Sequence, residues 1–428
     1  MQLSTLKVPG AAAAVLLLAA GCTGTAPSSG GDEDSADSTG SIRYLIEQQE
    51  DPGALKLLDA HIDEFEKANP GITVKLEAMP LENMRTVLQT QLRSGEGPDV
   101  FNWGSGPGYA GALAEAGLLY DLTDAYEQND WQIYDFAKER VTFDGKTFGV
   151  PGEMETIGLF YNKTLFADLG IAAPESLADL EAVSRSLLDE GIVPIGVSDK
   201  EGWQGGHLLS MALSSEVGSD GMDELLNGGA AWDSPDVVSA LRLWEDFMDA
   251  GYLPESPTAL SYDGGNALFY SGEAAMLPTG SWLVPEIEDN VDFEVGYVPF
   301  PSGDGPGIFT GGLGSGPFIS AGTTETEAAL KFVDFLASQE HGQWTVENLG
   351  SIPPMPIDTK DLQVSPLFGQ VLEDTSELSG GSGDLGYNID VLVTDVFNEA
   401  MFDGVQAILS GQKDAEEVAQ DLEAAFRK

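Results

Sequence analysis

Residues 42–76 read IRYLIEQQEDPGALKLLDAHIDEFEKANPGITVKL. Ile42 to Ile46 is a short apolar run. Leu55, Leu58, Ile62 and Phe65 then recur at the spacing of one helix face, and Ile72 to Leu76 alternates apolar with polar. Asn69-Pro70-Gly71 supplies the turn before the second strand. Strand, helix and strand in direct succession predict an α/β fold with helices flanking a sheet. The pattern continues with a helix over 81–92, the break Gly95 to Pro98, and a short buried strand at Asp99-Val100-Phe101. Further strands are expected over 156–161, 274–277, 295–298 and 316–320, with helices near 176–190, 235–250 and 325–338. Thr324 with Glu327, and Asp414 with Glu417, have capping-box spacing, and Val418, Leu422 and Phe426 share one face of the last helix.

A length of 428 residues predicts two domains, whose boundaries need not be continuous in sequence. Nineteen Lys and Arg against 71 Asp and Glu give a formal charge of -52, which repels phosphate backbones and anionic headgroups and excludes nucleic acid as a partner. With 42% hydrophobic and 9% aromatic residues the acids belong to the surface of a packed protein, since a disordered acidic chain would lack those aromatics. Solubility outside the cell and adaptation to high salt both account for the charge.

The N-terminus reads as a targeting segment. Lys7 is its positive end, Ala11 to Ala20 its apolar run, too short to span a bilayer, and Ala19-Ala20-Gly21 its cleavage residues. Because these small residues end on Cys22, the one cysteine, the stretch resembles a bacterial lipobox. That resemblance implies a signal peptide over 1–21 and lipidation of Cys22. Residues 22–40 are then an acidic Gly/Ser tether, whose acids miss calcium-loop spacing at Ala36 and Arg43.

Catalytic patterns are scarce. His61, His207 and His341 are isolated and read as surface residues, which argues against a zinc site. Gly196-Val197-Ser198-Asp199-Lys200 fails the nucleophile elbow at its last position, and the glycine-rich run Gly303 to Gly316 carries no phosphate-binding motif; a mobile loop lining a cleft suits it better. Trp103, Trp203 and Trp282 instead stand near chain reversals, where open α/β sheets bind ligands. Flat rings flanked by carboxylates suit sugars, although core packing explains a buried Trp equally well. Trp131, Trp232, Trp244 and Trp344 are assigned to packing.

Four segments carry a wider resemblance: Gly97 to Phe101, Thr156 to Phe166, Gly272 to Trp282, and Ala328 to Glu340. In order and interval they are similar to the extracellular solute-binding proteins of ABC importers, in the sugar-binding group that includes maltose-binding protein. The resemblance implies a two-lobe, type II periplasmic-binding-protein-like fold. The ligand cleft lies between lobes that close around it, and the chain crosses the hinge more than once. Lobe one is expected at 41–152 plus 299–345 and lobe two at 153–298 plus 346–428. It further implies ligand contacts at Trp103, Glu155 and Trp282, at Glu201 with Trp203, at Gln49 and Glu50, and at Gly311 and Gly312. The family's charged pair after Trp103 is replaced by Gly104-Ser105-Gly106-Pro107, which leaves the sugar open. A monomeric receptor follows, lipid-anchored on the outer face of the cytoplasmic membrane. It passes carbohydrate to a permease, with no cofactor, no metal and no catalysis. The alternatives are the same fold binding a polyamine, peptide or metal complex, a secreted carboxylate glycosidase, or a structural surface protein.

Overall fold

The computed structural model describes residues 39–48, 52–303, 305–357, 362, 364–379 and 384–428. The signal segment, Cys22, the tether before residue 39, Gln49 and Glu50 lie outside the described residues. In chain order the strands are β1 (Gly40–Glu47), β2 (Ile72–Met79), β3 (Val100–Trp103), β4 (Thr142–Phe143), β5 (Lys146–Thr147), β6 (Met154–Asn162), β7 (Val193–Ile195), β8 (Ala274–Gly280), β9 (Val295–Val298), β10 (Phe309–Leu313), β11 (Gly316–Ile319) and β12 (Leu385–Tyr387).

The first sheet has the order β11-β3-β1-β2. β1 runs parallel to both β2 and β3, because helices Pro52–Ala68 and Leu81–Ser94 carry the chain back between them. β11 closes the far edge antiparallel to β3. Asp99 ties this edge together: its carboxylate accepts from the Arg43 amide at 2.9 Å and from the Thr323 hydroxyl at 2.5 Å. The Pro-Asp motif is thus structural, holding the start of β3 against β1 and the loop after β11.

The second sheet has the order β12-β10-β6-β8-β7, with β9 also on β6. β9 pairs with Leu159 to Asn162 and β10 with Met154 to Ile157, so the two share one edge of β6. β4 and β5 form a separate small hairpin. This arrangement corrects the expected assignment of 299–345 to one lobe, because β10 is hydrogen-bonded to β6, which begins the other. Nor is the glycine-rich run a loop throughout, since it contains β10 and leads into β11. The chain leaves the second sheet at Gly314-Ser315, where the Gly314 amide donates to the Glu153 carbonyl at 2.9 Å. Residues 150–153 make the neighbouring crossing, so the two sheets are linked by adjacent strands of chain.

Helix signals near the termini of elements are mostly local and mostly met. Ser176 caps the helix Leu177–Asp189, and Asp414 with Glu417 forms the capping box expected at the last helix. Thr324 and Glu327 do not form one. The helix there begins after Glu325, whose amide donates to Thr323 instead, because Thr323 is already engaged by Asp99. Trp232 and Trp244 are fully buried, and the Trp244 indole donates to the Leu208 carbonyl at 3.0 Å. The helix Trp203–Leu226 is buried almost completely over its first three turns, since helix Asp395–Leu409, helix Pro235–Asp249 and β12 pack around it.

Candidate functional site

A cavity of about 470 Å³ opens between the edges of the two sheets. That size lies within the range of small-molecule sites. One wall is aromatic. Trp203 is the first residue of its helix. Asp199, fully buried, accepts from the Gly205 amide at 2.8 Å and so fixes the turn that presents the ring. Removal from water pushes the Asp199 carboxyl well above its ordinary range, against the opposing effect of the Gly205 amide. Tyr262 opens the helix Tyr262–Tyr270, and its amide donates to Glu201 at 3.0 Å. Trp282 follows β8, and its indole N–H donates to the Tyr262 hydroxyl at 2.8 Å. Trp203 and Tyr262 rings lie 4.8 Å apart, Trp203 and His207 5.1 Å, His207 and Trp282 5.5 Å. Four rings therefore form one continuous, mutually braced surface.

The facing wall comes from the first sheet and its loops: Tyr44, Arg85, Asn102, Gly104 and Tyr109. The Tyr44 hydroxyl donates to Asn102 at 2.8 Å. Arg85 donates to the Tyr109 hydroxyl at 2.7 Å, which in turn donates to Asp390 at 3.4 Å across the cleft. Between the walls stand Glu153, Glu155, Asn388 and Asp390. A Cβ on Gly314 would lie 2.6 Å from both the Glu153 and the Glu155 carboxyl groups, so the two acids crowd one spot. Burial raises the Glu155 pKa well above the usual carboxylate range, and Glu153, Asp390 and Glu47 add to it; burial also raises Glu153. Burial holds the His207 imidazole below its ordinary value, partly opposed by Asp390.

Of the expected site residues, Glu155, Trp203 and Trp282 line this cavity together. Trp103 does not. It is 8% exposed and packs with Leu45, Met84 and Phe101 in a small core, while its neighbours Asn102 and Gly104 reach the cavity. The strand pleat decides this, because successive side chains of β3 face opposite sides. Glu201 stands behind the wall as the acceptor for Tyr262. Gly311 and Gly312 are strand residues of β10 in the second sheet, paired with Thr156 and Glu155, rather than a loop from the first. Unforeseen are Tyr262, His207, Tyr109, Arg85, Asn388 and Asp390. An aromatic at a helix start, as at Trp203, was the one signal available for Tyr262. His61 and His207 are not surface residues: each is 8% exposed, and His61 stacks on Trp344 at 4.0 Å, with the half-buried His341 at 5.3 Å. His61 lies on the same helical stripe as Leu58 and Phe65, which is why it is buried.

The family profile of bacterial extracellular solute-binding proteins matches residues 49–343. The chain belongs to that family. Its role is accordingly to bind a solute and not to transform one. A multiple sugar-binding protein of Streptococcus mutans is 29% identical over 309 residues, which are 69% of this chain and 71% of that one. The maltotriose-binding protein of Pyrococcus abyssi is 23% identical over 397 residues, 90% of this chain and 83% of its own. Among solved structures, a chitin oligosaccharide binding protein has the same two-lobe fold, with a TM-score of 0.79 and 24% identity over 90% of this chain and 98% of that one. No helix among the described residues is long and apolar enough to cross a membrane.

Proposed function

We propose that this protein is the carbohydrate receptor of an ABC importer, held outside the cytoplasmic membrane by a lipid on Cys22 and acting as a monomer that hands its ligand to a membrane permease. The observation that carries the carbohydrate is the pairing, across one cavity, of the Trp203-His207-Tyr262-Trp282 surface with the polar set Asn102, Glu155, Asn388 and Asp390. A pyranose presents C–H groups on its face and hydroxyls around its rim, so it needs apolar rings beneath and acceptors and donors beside. Relatives named for sugar binding support the same reading. Each aromatic contact adds about 0.5–1.5 kcal/mol beyond burial and each hydrogen bond about 1 kcal/mol, enough for the roughly 8 kcal/mol of a micromolar complex.

In this reading lobe one is 41–152 plus 316–349, and lobe two 153–314 plus 350–428, with the three crossings at 150–153, 313–316 and 349–350 serving as hinge. Thermal unfolding of the purified chain against mono- and oligosaccharides, polyamines and short peptides tests the proposal. Saturable stabilisation by a sugar is expected. Stabilisation by polyamines or peptides alone would overturn the carbohydrate and keep the receptor. For the anchor, palmitate labelling in an expressing cell should be lost on replacing Cys22 with Ala.

A further inference from the structure

We infer that the ligand is a saccharide carrying a protonated amine, whose ammonium is received among Glu153, Glu155 and Asp390. The inference rests on the carbohydrate reading above and narrows it.

Five carboxyl side chains line the cavity: Glu47, Glu153, Glu155, Glu286 and Asp390. Among the described lining residues, Arg85 is the one with a permanent positive charge. It donates to Tyr109 at 2.7 Å, lies 5.3 Å from the centre of the Tyr109 ring and 6.0 Å from that of Phe402, and its charge acts on Asp395, which lies outside the cavity lining. His207 is the nearest other candidate, 3.9 Å from Asp390, but burial keeps it neutral. Among the described residues, Glu153, Glu155 and Asp390 therefore have no Lys or Arg in ion-pair contact.

Asp390 supplies an independent sign. It is 5% exposed and lines the cavity. Its Oδ2 meets Tyr109, while its buried Oδ1 has no hydrogen-bond partner. Glu155, half-buried, stands beside it: a Cβ on Gly312 would lie 3.5 Å from the Glu155 carboxylate and 3.4 Å from Asn388. Buried acceptors without donors are costly, and charged ones more so. A sugar hydroxyl would satisfy one lone pair but would not offset the ionisation of Glu155 that burial disfavours. An ammonium offers three donors and cancels a charge where the low polarity of the surroundings makes that interaction strong. The adjacent aromatic surface favours the same group, since the faces of Trp and Tyr rings attract cations. The buried Arg85 Nε, also without a partner, remains for a hydroxyl of the same ligand.

The test is titration calorimetry on the full chain at fixed ionic strength. Glucosamine and galactosamine, as monomers and dimers, are each compared with their N-acetyl and plain hydroxyl counterparts, and spermidine serves as a cation without sugar. At least one amino sugar should bind tenfold or more tighter than both of its neutral counterparts, and tighter than spermidine. Asp390→Asn and Glu155→Gln should each move that ratio toward one. Equal or tighter binding of the neutral sugars overturns the amine and leaves a sugar receptor. Binding of spermidine without any saccharide, or of none of these compounds, overturns the carbohydrate reading as well. Should Asp390→Asn fail to fold, the wild-type ratio and Glu155→Gln still decide.

Discussion

Replacing Gly280 with Ala is the sharpest perturbation of the cleft. Gly280 ends β8 with an extended backbone, φ -101 and ψ 168, that any residue adopts, so the change brings no backbone strain. A Cβ there would nonetheless occupy the space of the Trp282 ring. The indole must swing away, giving up its hydrogen bond to Tyr262 and its place beside His207. Loss of one correctly placed ring is worth about 0.5–1.5 kcal/mol, and the loosened Tyr262 adds up to roughly 0.5–1 kcal/mol. Together, about 1–2 kcal/mol weakens ligand binding by roughly 5–30-fold. Calorimetry with the best saccharide measures it, and near-native circular dichroism shows that the chain is folded. Trp282→Ala should cost a similar amount, and the double variant no more than Trp282→Ala alone, because the methyl added at Gly280 then has no ring left to displace. Additive losses, or a Gly280→Ala protein that binds normally, would refute the placement of Trp282 in the site.

Trp103→Phe should lower stability by about 1–3 kcal/mol through the underfilled core yet change ligand affinity less than twofold, as read by denaturant unfolding and calorimetry on one preparation. Glu155 titrates above its usual 4.5, so the stability it contributes is present below that pH and lost as pH rises. Glu155→Gln should therefore melt a few degrees higher than the wild type near pH 8 and about equally near pH 4, while binding ligand more weakly. His341 is drawn down to about 3 by burial and then by His61, while Glu64, 3.6 Å from His61, opposes the shift of the latter. Stability from a neutral His341 is thus complete above its ordinary 6.5 and lost as pH falls toward 3. His341→Gln should flatten the acid side of a plot of melting temperature against pH; an unchanged slope would mean that the stack tolerates the charge.

Much of the fold was legible because its signals are short-range. Leu55, Leu58, Ile62 and Phe65 announce a helix within eleven residues, and Asp414 with Glu417 marks a helix start within four. Three of the residues lining the cavity were legible for a related reason: Trp203 and Trp282 stand at the ends of elements that can be read locally, and Glu155 opens a recognisable strand. Trp103 looked the same in sequence. Only the pleat of β3 and the packing of Phe101 and Met84 around it turn that ring inward.

Taken alone, then, the sequence determined the α/β class, a strongly acidic composition, and two of the tryptophans that line the cavity. Those follow from composition and from periodicities spanning a few residues. The tertiary structure decided which sheet β10 joins, which tryptophans face the cavity, and that Arg85 and Tyr109 meet Asp390 across it. Tyr109 and Asp390 are 281 residues apart. No local pattern can encode such a meeting, because it depends on two sheets being linked by crossing strands so that their edges face each other, and that is a property of the packed chain as a whole.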